Sequence, residues 1–565
     1  MKWIFYNKNN IDLKNDLKKF FNYSDFILDV FINRGFDNYE KINKILNIDK
    51  YNFHSPFLFE NMESAIKKID DAIKNNKKIT IYGDYDVDGV TAIAILIRFF
   101  KENIKYANID YYIPNRHDEG YGLNNNAILY LKNNGTGLII TVDCGINSKE
   151  QIKFAKDNGL DIIITDHHIP DISKIPDATD AIINPKFSQK YPDKELSGVG
   201  VAYKLICALA EKNNINIGDR FLDFVALGTI ADIVPLSYEN RMIIRKGLNL
   251  LKKPENLGLF YLKQVSELKS DEPVSTYHIG YILGPRINAA GRLEHAKRAV
   301  ELFLTDDETK VKEIADYLNN VNQERKKLLE ETEKEALKKL ESSFEPIKDF
   351  VLVLYDENWN SGIIGLVASK LVRKFFRPAF VFTKDENGFI HGSARSIYSV
   401  NIYDTLKYVE DLTEKFGGHK LAAGVVLKKE NLENFRKAIN EYLINTKSPS
   451  DFEPILYIDA IIKDKIDITD IRIFEKLQPW GEGNPEPVFL MENVEIKDVK
   501  LLKKNTLKFY GSHNNKNYNF IIFNYEEEDA VSIKKGSVLN LAVSPSINKW
   551  NDLENLVFEV KDYKN

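Results

Sequence analysis

The sequence predicts an α/β protein: a doubly wound, mostly parallel sheet joined by a long helix to a second α/β domain, with a small β-barrel at the C-terminus. Three observations carry this. Between about residues 50 and 235, short apolar runs alternate with helical patterns, as in βαβ units. Residues 308–343 are charged nearly all round, with a partial apolar stripe of Val311, Ile314, Ala315, Leu318 and Val321 that thins out after Arg325. Such a helix suits a bridge between domains. The last 115 or so residues change to short alternating strands separated by Asn/Lys turns.

Taken in order, "KKITIY" (77–82) reads as a buried strand and "GVTAIAILIRFF" (89–100) as the helix after it. "GLIITVD" (137–143) is the next strand. "SKEQIKFAKDNG" (148–159) is the next helix, with Ser148 and Gln151 spaced as a capping box and Gly159 at its C-terminal end. "DIIITD" (161–166) and "AIINPK" (181–186) supply two further strands. Residues 240–305 look mostly helical, and "DFVLVLYD" (349–356) restarts an α/β pattern that runs to about 447. "LKFYGSHNNKNYNFIIFNY" (507–525) reads as two strands around a turn, continued by "SVLNLAVSPSINKW" and "LENLVFEVKDY". The expected segments are an N-terminal extension (1–50), a first α/β domain (51–240), a helical region with the connecting helix (241–345), a second α/β domain (346–448) and the barrel (449–565).

With 565 residues, 44% hydrophobic and 28% charged, the chain can bury several cores as a soluble protein. Its start has no apolar signal region, and its longest apolar run, "AIAILI" (92–97), is too short to cross a bilayer. Two cysteines, Cys144 and Cys207, cannot form a disulfide framework and fit a reducing cytoplasm. The net charge of −5 argues against a protein that simply coats nucleic acid. An enzyme with a local basic channel remains open, because metal-binding carboxylates mask positive charge in the total.

Four strand ends carry the chemistry. "GDYDVDG" supplies Asp84, Asp86 and Asp88; "VDCG" supplies Asp143; "TDHHIP" supplies Asp166, His167 and His168; and "LGTIADIVPL" supplies Asp232 before a proline turn. The carboxyl ends of neighbouring parallel strands border one crevice, so these residues can converge. Each has a plainer reading. "DYDVDG" resembles a calcium loop but lacks the distal Glu; Asp143 alone reads better as a helix N-cap; a histidine pair alone fits an ordinary polar loop as well as a site. Together, so many carboxylates in one cleft repel severely unless cations neutralise them. Mixed carboxylate and imidazole ligation suits Mn²⁺, with Mg²⁺ also fitting, and two such ions generate hydroxide and stabilise the attacking and leaving oxygens of a phosphoester.

These stretches, in this order, resemble the DHH phosphoesterase superfamily, and further segments are similar to its RecJ family of single-strand-specific 5′→3′ DNA exonucleases. Those segments are "IPNRHDEGYGL" (113–123), "LSGVGVAYKL" (196–205), "GPRINAAGRL" (284–293), "WNSGIIGLVASKL" (359–371), "GSARS" (392–396), "GGHKLAAG" (417–424) and "QPWGEGNPEPVF" (478–489). The resemblance implies that Asp84, Asp86, Asp88, Asp143, His167, His168 and Asp232 bind metal and catalyse, with Asp166 orienting its neighbours. It implies a DHH domain, a DHH-associated domain and an OB-fold in the positions given above. Arg116, Arg286 and Arg395 are forks suited to phosphate, and Ser393, Gly417, Gly418 and neighbouring glycines allow close backbone approach to an anion. Arg116, Ser393 and Arg395 are expected to hold the 5′ phosphate, Tyr121 to stack a base, and His391 and His419 to contact substrate. A lone Arg is otherwise an ion-pair partner, and Tyr121 could equally be a core tyrosine. In the barrel, Phe509, Tyr510, Tyr518, Phe520 and Phe523, with Lys503, Lys504, Lys508 and Lys516 nearby, offer a base-stacking face of which alternation buries about half. The family also implies single-stranded DNA with a 5′ end as substrate, a helicase and a single-strand-binding protein as partners, no membrane, and a monomer. The alternatives are a phosphodiesterase for short oligonucleotides or cyclic dinucleotides, and a non-catalytic replication scaffold.

Overall fold

In this computed structural model, described for all residues except 7–10, 116–118, 178, 270, 342–343, 385–387, 503–504, 526–531 and 551–552, the chain begins against its own C-terminal part. β1 (Lys2–Phe5) pairs in parallel with Ile455–Ile458. α1 (Ile11–Lys18), α2 (Asp25–Asn33) and α3 (Tyr39–Leu46) follow, and their apolar residues share one core with the C-terminal strands. Phe26 meets Phe489 edge-on with ring centroids 5.7 Å apart, and Arg34 grips Asp459 through Nε at 2.9 Å and Nη2 at 3.2 Å. Truncating a buried Phe costs about 3–5 kcal/mol. Phe26→Ala is therefore expected to lower hydrogen-exchange protection in α2 and in the strand carrying Phe489 together. Loss confined to the helices would mean that the two do not share a core.

α4 (Met62–Lys74) leads into five parallel strands: β2 (Lys78–Gly83), β3 (Ile109–Tyr112), β4 (Thr136–Val142), β5 (Asp161–Thr165) and β6 (Ala181–Ile183). Their spatial order is β3-β2-β4-β5-β6, so the winding reverses between β2 and β4 and a crevice opens at the carboxyl ends of that pair. β2, β4 and β5 are almost wholly buried, which is why they read as continuous apolar runs. β3 escapes the sequence reading because it is a partly exposed edge strand containing Asp110. The connections include α5 (Val87–Phe99), α6 (Asn125–Asn133) and α7 (Lys149–Asp157). Ser148 precedes α7 but makes no side-chain capping bond, so the expected capping box is absent; Gly159 does end it, at φ +77°. α8 (Gly198–Lys212) and α9 (Leu222–Ala231) complete the domain. Asp232 thus follows a helix, not the strand expected from "LGTIADIVPL": Leu222–Thr229 are buried without strand periodicity.

α10 (Tyr238–Lys252), α11 (Leu257–Val265), α12 (Gly284–Leu293) and α13 (Lys297–Leu304) precede the 34-residue α14 (Glu308–Glu341). Its apolar stripe does not thin out. Val311, Ile314, Ala315 and Leu318 belong to the first domain's core, and Leu329, Ala336 and Leu340 to the second's. Asn322 and Arg325 lie buried at the handover, where a polar pair masks the stripe's continuity.

The second α/β domain comprises β7 (Leu352–Tyr355), α15 (Ile364–Phe375), β8 (Ala379–Lys384), β9 (Phe389–Arg395), α16 (Ile402–Tyr408), β10 (Lys415–His419), β11 (Ala422–Lys428) and α17 (Leu432–Thr446). Its sheet runs β10-β11-β9-β8-β7, parallel only between β7 and β8. The remainder contains β12 (Ile455–Ile458), β13 (Ala460–Ile461), α18 (Ile468–Glu475), β14 (Phe489–Leu502), β15 (Thr506–His513), β16 (Lys516–Ile522), β17 (Val538–Trp550) and β18 (Leu553–Lys564). Pairing of β14 with β17 closes a five-stranded barrel. Phe509, Tyr518 and Phe520 fill its interior, whereas Tyr510 and Phe523 face out; Lys503 and Lys504 lie outside the described residues. No described helix is long and apolar enough to cross a membrane.

Candidate active site

The loop after β2, the ends of β4 and β5, and the end of α9 bring Asp84, Asp86, Asp88, Asp143, His167, His168 and Asp232 together. Three overlapping groups place ligand atoms within 4.8 Å of one another: Asp84, Asp86 and Asp143; Asp88, His167 and Asp232; and Asp143, His167 and His168. The hub is His167. Its Nε2 stands 3.1 Å from Asp143 Oδ1, 3.4 Å from Asp232 Oδ2 and 3.9 Å from Asp88 Oδ2. None of these contacts has hydrogen-bond geometry, and both His167 ring nitrogens and Asp143 Oδ1 are buried without a hydrogen-bond partner. Buried polar atoms are nearly always satisfied, so this cluster is built for a group that accepts their lone pairs.

Backbone geometry fixes each ligand. Asp143 continues the ladder by donating its N–H to Thr165 O and then turns left-handed at φ +59°, a costly conformation for a non-glycine residue. It caps no helix; Asp86 does so instead, accepting from the N–H groups of Asp88 and Gly89 at the start of α5. Asp88 accepts from Gly198 N and Val199 N at the start of α8. Asp166 is saturated: it accepts from the backbone N–H groups of Ile146, His167 and His168 and contacts His168 Nδ1 at 2.8 Å. That leaves it an orienting role beneath the histidines. Asn184, which the sequence reading passed over, donates to His168 O and accepts from Lys186 N and Phe187 N. The Asn-Pro pair within "AIINPK" was the available signal for such a turn.

Electrostatics describe the same need for cations. Burial, then the charges of Asp88, Asp86 and Asp232, pushes the Asp143 carboxyl well above its ordinary range. Burial and Asp86 push Asp88 up to about 7 despite its two amide partners. Asp232 is raised by burial, Asp88 and Asp86. Burial lowers His167 to about 3, keeping its imidazole neutral and able to ligate. For His168 burial works downward, but the hydrogen bond and charge of Asp166 prevail and raise it. Divalent cations relieve this crowding, and carboxylate oxygen with neutral imidazole is a donor set that manganese accepts.

The remaining expected contacts divide. Tyr121 is half exposed and donates its hydroxyl to Asp143 O at 3.0 Å while touching His168. Arg116 lies outside the described residues. Arg286 is buried and each of its guanidinium nitrogens is engaged, Nε by Asn319, Nη1 by Ile282 O and Nη2 by Val265 O. It ties helices together with three of its five N–H donors, leaving one on each terminal nitrogen for a phosphate. In the second domain, Ser393, Gly424 and Gly417 align across three strands, as do Arg395, Ala422 and His419. Alternation puts His391, Ser393 and Arg395 on one face, with Ile390, Gly392 and Ala394 buried behind. A β-carbon on Gly417 or Gly424 would meet nothing within 4 Å, so a bare shelf lies beside those side chains. Gly418 sits at φ +149° against Ala422 O.

α12 joins the two halves. Asn288 Oδ1 accepts from Val87 N in the acidic loop, and Gly291 lies against Tyr85 O. In the same C-terminal half of the helix Arg292 O abuts Gly362, and Gly365 just beyond abuts Ser393 and Arg395. The shelf is thus reached from the acidic loop through one helix. Beside Asp232 a groove of about 490 Å³ is lined by Ile233, Tyr277, Tyr281, Arg373 and Trp480. Its two tyrosines stack at 5.0 Å and are exposed.

Three family profiles match this chain: the DHH family, N-terminal domain, over 78–229; the DHHA1 domain over 348–445; and the RecJ OB domain over 458–562. The single-stranded-DNA-specific exonuclease RecJ of Bacillus subtilis is 38% identical over 541 residues, which is 95% of this chain and 67% of that protein. The chain belongs to the RecJ family. The RecJ of Escherichia coli is 33% identical over 76% of this chain and 77% of its own length. Among solved structures, exonuclease RecJ bound to manganese is 30% identical over 69% of this chain and 96% of its own, with a TM-score of 0.61. RecJ of Thermus thermophilus with Mn²⁺ has the same fold, with a TM-score of 0.84 at 24% identity over the whole of this chain and 79% of its own. The RecJ relatives are single-stranded-DNA-specific exonucleases, and the acidic and histidine groups here could hold the metal that the RecJ structures contain.

Proposed function

We propose that this chain is a metal-dependent exonuclease that removes 5′-mononucleotides from single-stranded DNA in the 5′→3′ direction. The observation that carries this reading is the convergence of five carboxylates and two imidazoles, with the orienting Asp166 beneath them, around the unbonded His167 Nε2. Asp84, Asp86, Asp88, Asp143, His167, His168 and Asp232 would hold two divalent cations, Mn²⁺ or Mg²⁺. When bound, these supply an activated water and charge stabilisation on both sides of the scissile phosphorus. The chain's own residues do the rest. Arg395, Ser393 and the Gly417–Gly424 shelf hold the terminal 5′ phosphate, with Arg116, Gly418 and His419 beside them. Tyr121 supports the first nucleoside while fixing His168. The next phosphate then lies at the acidic cluster, where water adds to phosphorus and the bond to the 3′ oxygen breaks. The released nucleotide keeps its 5′ phosphate, and the shortened strand carries a new one that can enter the same shelf.

The groove beside Asp232 suits an unpaired strand, with aromatic faces for bases and Arg373 for a phosphate. A strand must be unwound to enter, so a helicase and a single-strand-binding protein are fitting partners. The site is assembled within one chain, which suits a monomer. Two thiols that are not joined suit the cytoplasm. The domains proposed are 51–240, 241–345, 346–448 and 449–565, preceded by the extension 1–50. Release of nucleotide from 5′-phosphorylated strands of increasing length tests the reading. Manganese-dependent digestion of long single strands, with duplex resistant, is expected. Cleavage of dinucleotides far faster than long strands would favour a small-substrate phosphodiesterase instead.

A further inference from the structure

The first turn of α8 lies against two of the proposed ligands. Asp88 accepts from Gly198 N at 2.6 Å and from Val199 N at 2.8 Å. A β-carbon on Gly198 would fall 2.6 Å from Asp143 Cβ, 2.8 Å from its Oδ1 and 2.9 Å from its Cγ. Those separations are below van der Waals contact, so a methyl group there must displace Asp143 or push α8 away from Asp88. Asp143 has no room to yield: it is 2% exposed, and its backbone is held left-handed and hydrogen-bonded to Thr165. Asp88 is 1% exposed. Close-packed interiors transmit such strain to the neighbouring group. A β-carbon on Gly228 of α9 would fall 2.6 Å from Thr91 Oγ1, 2.7 Å from Val199 Cγ1 and 2.9 Å from Asp88 Oδ1. Gly200 differs. Two residues further along α8, its β-carbon would meet nothing closer than 3.4 Å.

We infer that Gly198 is a positioning residue of the metal centre: the missing side chain lets α8 seat its amides on Asp88 while its Cα backs Asp143, fixing the separation of the two carboxylates. Gly228 plays the matching part behind Asp88. The inference rests on the metal-centre reading above. Because both glycines act through ligands that they touch, their loss weakens cation binding before it weakens the fold.

Calorimetric titration of Mn²⁺ into the full-length wild-type chain, Gly198→Ala, Gly228→Ala and Gly200→Ala tests this. Altered support of a metal ligand costs about 10- to 100-fold in affinity. Gly198→Ala and Gly228→Ala are expected to raise the Mn²⁺ dissociation constant by that factor and keep the metal-free melting transition. Gly200→Ala, the same change on the same helix, is expected to bind like the wild type. Turnover of Gly198→Ala should recover as Mn²⁺ is raised. Wild-type affinity in Gly198→Ala overturns the inference, as does equal weakening in Gly200→Ala or loss of the metal-free transition in Gly198→Ala. If the wild type takes up no manganese, the metal-centre reading itself falls.

Discussion

Asp143→Asn lowers manganese-dependent nucleotide release by about a thousandfold, on the basis that cation stabilisation of a phosphoryl transition state is worth several kcal/mol. Asp143 earns the largest effect because it belongs to two of the three candidate ligand groups and stands nearest the hub nitrogen of His167. Asparagine keeps the shape and removes the charge, so the fold survives. The stability signature is specific. A ligand present at a hundred times its dissociation constant stabilises a folded chain by about 2.7 kcal/mol. Manganese should therefore raise the melting temperature of the wild type and leave that of Asp143→Asn unmoved. Without metal the order does not favour the wild type. Burial and the surrounding aspartates raise the folded-state pKa of Asp143, so its protonated carboxyl contributes stability at acid pH that is lost as pH rises and the group ionises. At pH 8 and without metal, Asp143→Asn should melt at or above the wild type, with the gap closing toward pH 4. Full activity with full manganese uptake in the variant would remove Asp143 from the site.

Arg395→Ala lowers kcat/KM on 5′-phosphorylated single strands by roughly ten- to a hundredfold. That is the range for losing a hydrogen bond to a charged group, about 1.5–3 kcal/mol. The effect should nearly vanish on strands ending in a 5′ hydroxyl, because Arg395 then has no terminal phosphate to hold. Arg395 also donates to Ser393 Oγ and Ala394 O, so its removal could loosen the shelf generally. The comparison of the two strand ends separates these outcomes: a structural loss weakens both alike. Arg395→Lys should restore part of the rate through charge alone, since lysine lacks the planar fork.

Much of this was legible in the residues. Buried parallel strands announce themselves as apolar runs, and an Asp at the end of such a run has one place to go when its neighbours converge at a switch point. β2, β4 and β5 with Asp84, Asp143 and His167 follow that logic. What stayed hidden depended on partners distant in sequence. Asp143 was legible as a ligand but its setting was not: its left-handed turn and the glycine behind it depend on β5 and α8. Nothing in the sequence around Arg286 shows that three of its donors are engaged by Asn319 and two carbonyls. Asp232 looked like a strand end because its apolar run is buried on all sides, which erases the helical period. The extension at 1–50 gave no sign that its helices complete the core of a barrel more than 400 residues away.

Crystals of the wild-type chain grown with manganese, with anomalous difference maps collected near the manganese edge, test the central claim most directly. Two peaks are expected in the space bounded by Asp84, Asp86, Asp88, Asp143, His167 and Asp232, with His167 Nε2 ligating one of them. A map without peaks there at millimolar manganese, or with peaks only elsewhere, would contradict it.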